Sequence, residues 1–179
     1  MRKLFITLVA VLMTATALPA RAFEPDINDS FQLDVQKAIN AIRKADPGIE
    51  AFFENAAGYA VFPRVGKGGL VIGGAYGKGL VISGGKVDGY TSMTQGSIGL
   101  QVGGQSYSQF IFFKDDTAVG HFKRGNFEFG AQASAVAIKA GASANAAYDA
   151  GVAIFTLAKG GLMVEGSVGG QRFTYAPAQ

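Results

Sequence analysis

The sequence predicts an α+β domain that is predominantly β, with a compact, glycine-rich antiparallel sheet curled into a barrel-like or sandwich-like shape. The chain contains 26 glycines in 179 residues, and most of them separate short apolar runs after residue 57. Because glycine weakens the interiors of helices and strands, its frequent use indicates turns, bulges and close backbone contacts. Two helical patterns add an N-terminal amphipathic helix and a short second helical segment.

Residues 1–22 have the pattern of a signal peptide. Arg2 and Lys3 give a positive start, residues 4–18 are mostly apolar, and Ala20–Ala22 has the small-x-small form of a cleavage site. The apolar stretch of 15 residues is shorter than the roughly 20 residues that a membrane-spanning helix needs. We therefore expect the leader to be removed.

The remaining residues, 23–179, have the length of a single domain. The whole chain has 16 basic and 13 acidic residues, and because the leader holds three of the basic ones, 13 of each remain. This balance argues against nucleic-acid binding, which requires a basic surface. The absence of cysteine excludes disulfides and thiolate sites. We expect a bacterial protein that is periplasmic or secreted, with peripheral membrane association.

The N-terminal part of the domain has a helical period. Asp29 or Ser30 is placed to cap a helix that runs to about Asp46, where the residues Pro47 and Gly48 stop it. The apolar positions that predict its buried face are Phe31, Val35, Ala38, Ile39, Ile42 and Ala45. A second short helix is predicted over residues 49–55, with its phenylalanines turned inward.

From Gly58 onward the pattern changes to short strands. The predicted strands are 59–65, 69–76, 78–83, 90–102, 107–113, 126–140, 151–157, 161–167 and 171–175. Between the fifth and sixth of them, Asp115 or Asp116 is placed to cap a short helix that ends before Gly125. The segment 126–140 alternates Phe and Ala with more polar residues, which predicts one long strand.

Residues that carry out catalysis are almost absent. The chain lacks the Gly-x-Ser-x-Gly nucleophile motif, the phosphate-binding and dinucleotide-binding glycine loops, and the His-Glu-x-x-His zinc motif. His121 is the single histidine, and the adjacent pair Asp115 and Asp116 is explained by helix capping. We therefore expect a protein that is not an enzyme and has no cofactor or metal.

Basic residues are the remaining candidates for function. Lys67 and Lys78 are flanked by glycine, so an ammonium group would lie beside exposed backbone N–H groups, as suits a lipid phosphate. Solvated loop lysines are the alternative. Leu33 lies across the first helix from its apolar face and is either a membrane contact or an ordinary surface leucine. The candidate lipid-binding residues are Leu33, Lys37, Lys44, Arg64, Lys67, Lys78, Lys123, Arg124 and Lys159.

Four glycine-rich segments resemble, in order and spacing, the motifs of the SYLF lipid-binding domain. They are residues 58–65 (GYAVFPRV), 67–79 (KGGLVIGGAYGKG), 96–106 (GSIGLQVGGQS) and 159–166 (KGGLMVEG). The resemblance extends over residues 29–175, and the leader with one domain is similar to the exported, stand-alone bacterial members. It implies a phospholipid-binding β-rich domain, with phosphoinositides and actin as partners in eukaryotic relatives. It also implies that Leu33, Lys37 and Lys44 lie on a membrane-engaging helix.

The sequence therefore predicts a non-catalytic phospholipid-binding protein of the bacterial cell envelope that contacts lipid headgroups peripherally. Its expected partners are phospholipids or a membrane surface, with an envelope protein as a further candidate and no nucleic acid. One alternative is a structural or protein-interaction module whose glycine-lined edge pairs with a partner strand. Another is a small outer-membrane β-barrel, because alternating strands follow a leader.

Overall fold

The computed structural model describes residues 22–69, 72–98, 105–125, 127–130, 133–159 and 166–178. The predicted signal peptide, except Ala22, and parts of the predicted strands lie outside these residues. The described helices are α1 (Ser30–Ala45), α2 (Glu50–Asn55) and α3 (Asp116–Lys123), with 3₁₀ turns at Pro47–Ile49 and Ala142–Asn145. The described strands are β1 (Gly58–Gly69), β2 (Ile72–Ser83), β3 (Lys86–Ile98), β4 (Gln105–Phe113), β5 (Phe127–Glu128), β6 (Ser134–Ala137), β7 (Val152–Ala158), β8 (Gly166–Ser167) and β9 (Arg172–Pro177).

The described strands form one sheet in the order β5-β9-β3-β2-β1-β4-β7-β6-β8. Its neighbouring strands are antiparallel, except that β6 runs parallel to β7. β5 and β6 belong to one segment of the chain and β8 and β9 to another, and these segments pair at both ends: Phe127 lies opposite Phe173, and Ala135 lies opposite Gly166. These two segments connect the sheet's two edges, so the sheet curls. The prediction of a curled, predominantly β domain is confirmed.

Each face of the sheet has its own apolar core. We call the face under α1 and α2 the outer face and the opposite face the inner face. The outer core contains Val35, Ile39 and Ile42 of α1 against Val61, Leu80, Ile82, Phe110, Phe112 and Phe155 of the sheet. The inner core contains Phe62, Val65, Val81, Ile111 and Phe113 with Val119 and Phe122 of α3, Phe129 and Phe173. Burial on both faces explains why several strands are continuous apolar runs.

The structure selects the first of the two predicted cap candidates for α1 and for α3, Asp29 and Asp115. Asp29 caps α1, where its Oδ1 accepts hydrogen bonds from the backbone N–H groups of Phe31 (2.8 Å) and Gln32 (3.2 Å). Asp115 caps α3 by accepting from the N–H of Ala118 at 2.9 Å. Gly125 follows α3 with φ of 71°, a left-handed conformation that favours glycine.

Two strand predictions are wrong. The glycines near residues 66–69 and at Gly77 do not end strands, because β1 and β2 pair through them. At Gly79 a side chain would lie 2.6 Å from the carbonyl oxygen of Val61, so this glycine permits close strand approach. The predicted strand 126–140 is two short strands, β5 and β6, because the chain here crosses from one edge of the sheet to the other.

A bulge in β1 determines which of its side chains reach the outer face. The register between β1 and both of its neighbours shifts between Val61 and Val65. Pro63 lies in this bulge, where the missing N–H of proline is tolerated. As a result Phe62 and Val65 both belong to the inner core, and Arg64 lies on the outer face near α1.

Candidate functional site

A groove of about 720 Å³ lies on the outer face between α1, the middle of β1 and β2, the first half of β4 and the end of β7. Its size is within the range of about 300–1,000 Å³ that is typical of ligand sites. Its apolar lining comes mainly from Phe31, Ala38, Ala41, Pro63, Tyr76, Leu157 and Ala158, and its charged lining from Asp34, Lys37, Arg64, Lys78 and Lys159. Four of the nine predicted lipid-binding residues therefore meet here.

The basic residues of the groove come from four different elements. Lys37 is on α1, and Lys159 directly follows β7. Arg64 of β1 and Lys78 of β2 are direct cross-strand partners in the sheet register. Like charges at such positions are destabilising. The fold thus holds two cations next to each other at a cost in stability.

Acidic residues neutralise little of this charge. The Nζ of Lys37 lies 3.1 Å from Oδ1 of Asp34, and both side chains are exposed. Within the part of the chain that the structure describes, Arg64, Lys78 and Lys159 form no salt bridge. The pKa of Lys159 is lowered by burial and next by the charge of Arg64, while Asp34 raises it. The groove is therefore a site of net positive charge that suits an anion.

A second depression, which we call the trough, adjoins the groove and shares Phe31 and Lys78 with it. The trough has a volume of about 540 Å³ and lies over β3 and β9, and its surface is mostly apolar. Tyr90 of the trough is 44% exposed, and Tyr76 of the groove is 51% exposed. Exposed tyrosines beside cations are typical of surfaces that meet a membrane interface.

The remaining five predicted residues do not line the groove. Lys67 shares the inner side of β1 with Val65, because side chains alternate along a strand. On α1, Leu33 is half-buried and Lys44 is exposed near the end of the helix. The last two residues are Lys123 and Arg124, at the end of α3 on the inner side of the sheet. Their lipid-binding roles stay predictions.

Lys123 differs from Arg64, Lys78 and Lys159 of the groove because it has an acidic partner in the described structure. Its Nζ lies 2.5 Å from Oδ2 of Asp88 and 5.9 Å from the ring centroid of Tyr175. The hydroxyl of Tyr175 also donates to Oδ2 of Asp88 at 3.0 Å. Burial, followed by this carboxylate, raises the pKa of Tyr175 to about 12. This cluster ties α3 to β3 and β9 with its charge compensated.

The aromatic residues of the site are not among the residues that the sequence predicts to bind lipid. Its helical period predicts a core position for Phe31, which also lines both depressions. Tyr76 and Lys78 face the same side of β2 as the buried Leu80, and Tyr90 lies opposite Leu80 on β3. Because side chains alternate along a strand, one continuous strand through Gly77 would have predicted that Tyr76 and Lys78 lie on the same face. The predicted break at Gly77 divided that strand in two.

A network of amide side chains is buried in the inner core. Gln109 and Gln171 are fully buried and exchange two hydrogen bonds of 2.7 and 3.1 Å between their side chains. Gln171 also donates to Gln95 at 3.3 Å, and Gln95 donates to the carbonyl of Gly169 at 3.0 Å. Amides do not titrate, so this network stabilises the core without offering an acid or a base.

No cluster of metal-binding side chains is found among the described residues. His121 lies exposed on α3, and no three His, Asp or Glu side chains in these parts of the chain are close enough to hold a metal ion. In the same ranges, no helix combines the length and the apolar character needed to cross a bilayer.

Comparisons with known proteins identify the family. The Ysc84 family model, described as Las17-binding protein actin regulator, matches residues 94–176. Beta cell expansion factor A of Aeromonas veronii is 30% identical over 129 residues, which are 71% of this chain and 49% of that protein. The chain belongs to the SYLF family. It spans about half the length of this curated relative.

Membership of the SYLF family limits the function only broadly. SYLF domains in general bind lipids or regulate actin, and they are generally non-catalytic. The region matched by the family model, residues 94–176, contains Lys159 of this SYLF chain. Lys37, Arg64 and Lys78 lie before that region. The groove is therefore built from both the matched region and the part that precedes it.

Proposed function

We propose that this SYLF protein is a non-catalytic phospholipid-binding protein of the bacterial cell envelope, which contacts lipid headgroups peripherally through the groove. The observation that carries the proposal is the combination of Arg64, Lys78 and Lys159 beside an apolar wall, with no salt bridge to any of the three in the described structure. The predicted leader, residues 1–22, supports an envelope location.

Electrostatics and apolar burial act together in this proposal. A basic side chain near an anionic membrane surface contributes about 1 kcal/mol, and the effect decays within a Debye length. Anionic headgroups would relieve the repulsion between Arg64 and Lys78, which are cross-strand partners. Phe31, Tyr76 and Tyr90 would enter the boundary between headgroups and acyl chains.

Cosedimentation with vesicles tests this function. The purified protein should bind vesicles rich in phosphatidylglycerol at low salt, and it should bind pure phosphatidylcholine vesicles much less. The double variant Arg64→Gln/Lys78→Gln should bind about thirtyfold more weakly, which corresponds to two contributions of about 1 kcal/mol.

The matched control is Lys86→Gln/Lys139→Gln, which removes the same charge at two exposed sites that do not line the groove. It should keep most of the binding. Equal losses in the two double variants would show that net charge alone matters. No binding to either kind of vesicle would refute the function.

Protein binding is the second candidate function, because the matched family model is described as a Las17-binding protein actin regulator. Strand pairing with a partner requires free backbone groups at a sheet edge. In the described ranges the edge strands β5 and β8 have two residues each, which offers little for such pairing. Capture of an envelope protein that is insensitive to salt and to lipid would favour this candidate.

A further inference from the structure

We propose that the groove and the trough together hold one anionic phospholipid molecule, with its phosphate near Arg64, Lys78 and Lys159 and one acyl chain along Phe31 and Tyr90. Binding would draw part of a single lipid out of the bilayer rather than only touch the bilayer surface. The inference rests on the proposed function and specifies its ligand and stoichiometry.

The two depressions are adjacent, and the two residues that they share fit an amphiphile. Phe31 and Lys78 line both of them, and each depression has the size of a ligand site, about 720 and 540 Å³. A lysine at the junction suits this position, because its four-carbon stem packs on apolar groups and its ammonium group binds anions. The cations lie on the groove side of the junction, while Tyr90 lies on the trough side.

The trough is suited to an alkyl chain although it contains hydroxyl groups. The hydroxyls of Ser92 and Thr174 bond to each other at 2.7 Å, and Thr174 Oγ1 also accepts from the backbone N–H of Ser92 at 3.2 Å. The hydroxyl of Thr91 donates to the carbonyl of Thr174 at 2.7 Å. These polar groups are therefore satisfied within the protein. The remaining surface of the trough is mostly apolar and includes Ala176 and the ring of Tyr90.

The cations of the groove and the apolar surface of the trough together favour one class of ligand. A free phosphate would satisfy the groove but leave the trough uncovered, and a neutral alkyl compound would leave three cations unneutralised. An anionic phospholipid supplies both parts in one molecule. Its acyl chain would cover Tyr90, whose 44% exposure is high for a large aromatic residue.

A short-chain lipid separates this inference from general membrane binding. Dihexanoyl phosphatidylglycerol, used below its micelle concentration, should saturate the protein at one molecule per chain in an NMR titration. The amide signals of Lys78, Ser92 and Thr174 should shift. Diheptanoyl phosphatidylglycerol should bind about fourfold more tightly, because one further methylene enters the trough. Glycerol 3-phosphate, which has no acyl chain, should bind far more weakly.

Variants at the trough provide a second measurement. Tyr90→Ser should weaken binding of dihexanoyl phosphatidylglycerol at least fivefold, and Tyr90→Leu should restore most of it. The control is Ile27→Ser, which removes an apolar side chain that is 80% exposed and lies outside both depressions. The NMR spectrum of each free variant shows directly whether it is folded.

The two sets of experiments distinguish failure of the single-lipid inference from failure of the proposed function. If phosphatidylglycerol vesicles bind but affinity for the monomeric lipids does not depend on chain length or on Tyr90, the single-lipid inference is wrong and the proposed function stands. Binding of glycerol 3-phosphate as tight as that of the short-chain lipid would also overturn the inference. If neither vesicles nor monomeric lipids bind, both proposals fail.

Discussion

Basic side chains are found on both sides of the curled sheet, and their surroundings differ. On the inner side, Lys123 of α3 is paired with Asp88 and lies over the ring of Tyr175. On the outer side, Arg64 and Lys78 are neighbours across two strands without a salt bridge in the described structure. Pairs of the first kind stabilise a fold modestly, whereas the second arrangement costs stability.

This difference indicates which basic side chains are available to bind an anionic ligand. A lipid that reached Lys123 would have to compete with a carboxylate and a tyrosine ring already in place. A lipid that reached the groove would supply a counter-charge that the described fold does not provide. A basic residue is therefore a stronger candidate for lipid binding when it has no acidic partner within the protein than when it has one.

The largest effect on stability is expected from Asp88→Asn, which breaks the paired cluster. Loss of the carboxylate leaves Lys123 without its counter-charge and weakens the hydrogen bond from Tyr175. Because the pair is partly exposed, we expect a loss of about 1 kcal/mol, or about 2–4 °C in melting temperature. Thermal unfolding followed by circular dichroism measures it.

The same variant tests the comparison directly. Asp149→Asn is the matched control, because Asp149 is exposed and forms no salt bridge among the described residues. Asp88→Asn frees a cation that lines neither the groove nor the trough, so binding to phosphatidylglycerol vesicles should not increase beyond that of the control. A clear increase would mean that any free cation is sufficient.

A smaller effect of opposite sign is expected in the groove. Lys78→Gln removes one of two cations that face each other across β1 and β2, so the free protein should become more stable by about 0.2–1 kcal/mol. Vesicle binding should weaken in the same variant. Lys86→Gln, at the start of β3, should change neither property by much. A destabilised Lys78→Gln protein would mean that repulsion in the groove is unimportant.

The smallest effect concerns the protonation of Lys159. Its pKa is lowered in the folded protein, so the charged form is disfavoured by folding. The resulting penalty is fully present below the folded pKa and disappears as pH rises from that value through the unfolded value of 10.5. A bound phosphate should raise the pKa again. NMR titration of the lysine ¹³Cε signals with and without dihexanoyl phosphatidylglycerol measures both values, and an unchanged pKa would place the phosphate elsewhere.

Local patterns made much of the fold predictable. The helical period and the capping carboxylates of Asp29 and Asp115 act within a few residues of sequence, so α1 and α3 follow from them. Local patterns did not show whether a glycine ends a strand or lies within it. Glycine is unfavourable in an isolated strand, but β1 is paired with β2 from Arg64 to Gly69 and with β4 from Val65 to Lys67, and this pairing keeps it regular.

The site was only partly predictable for the same reason. The sequence indicates Lys37 by its place on the amphipathic helix, and Arg64, Lys78 and Lys159 by their places within or beside glycine-rich segments. Their convergence depends on the packing of α1 across β1, β2, β4 and β7. Lys67 looked equivalent to Lys78 in its glycine-flanked sequence. The bulge of β1 places Lys67 on the inner side of the strand.

The sequence by itself determined the class of the fold and its SYLF membership, and it limited each helix cap to two neighbouring residues, because periodicity, capping and motif order depend on neighbouring residues. Only the tertiary structure decided which cations share one groove and which are paired internally. The physical reason is that charge compensation depends on distance in space. Asp88 and Lys123 are far apart in the sequence and 2.5 Å apart at their charged atoms, while Arg64, Lys78 and Lys159 converge without a carboxylate that pairs with them in the described structure.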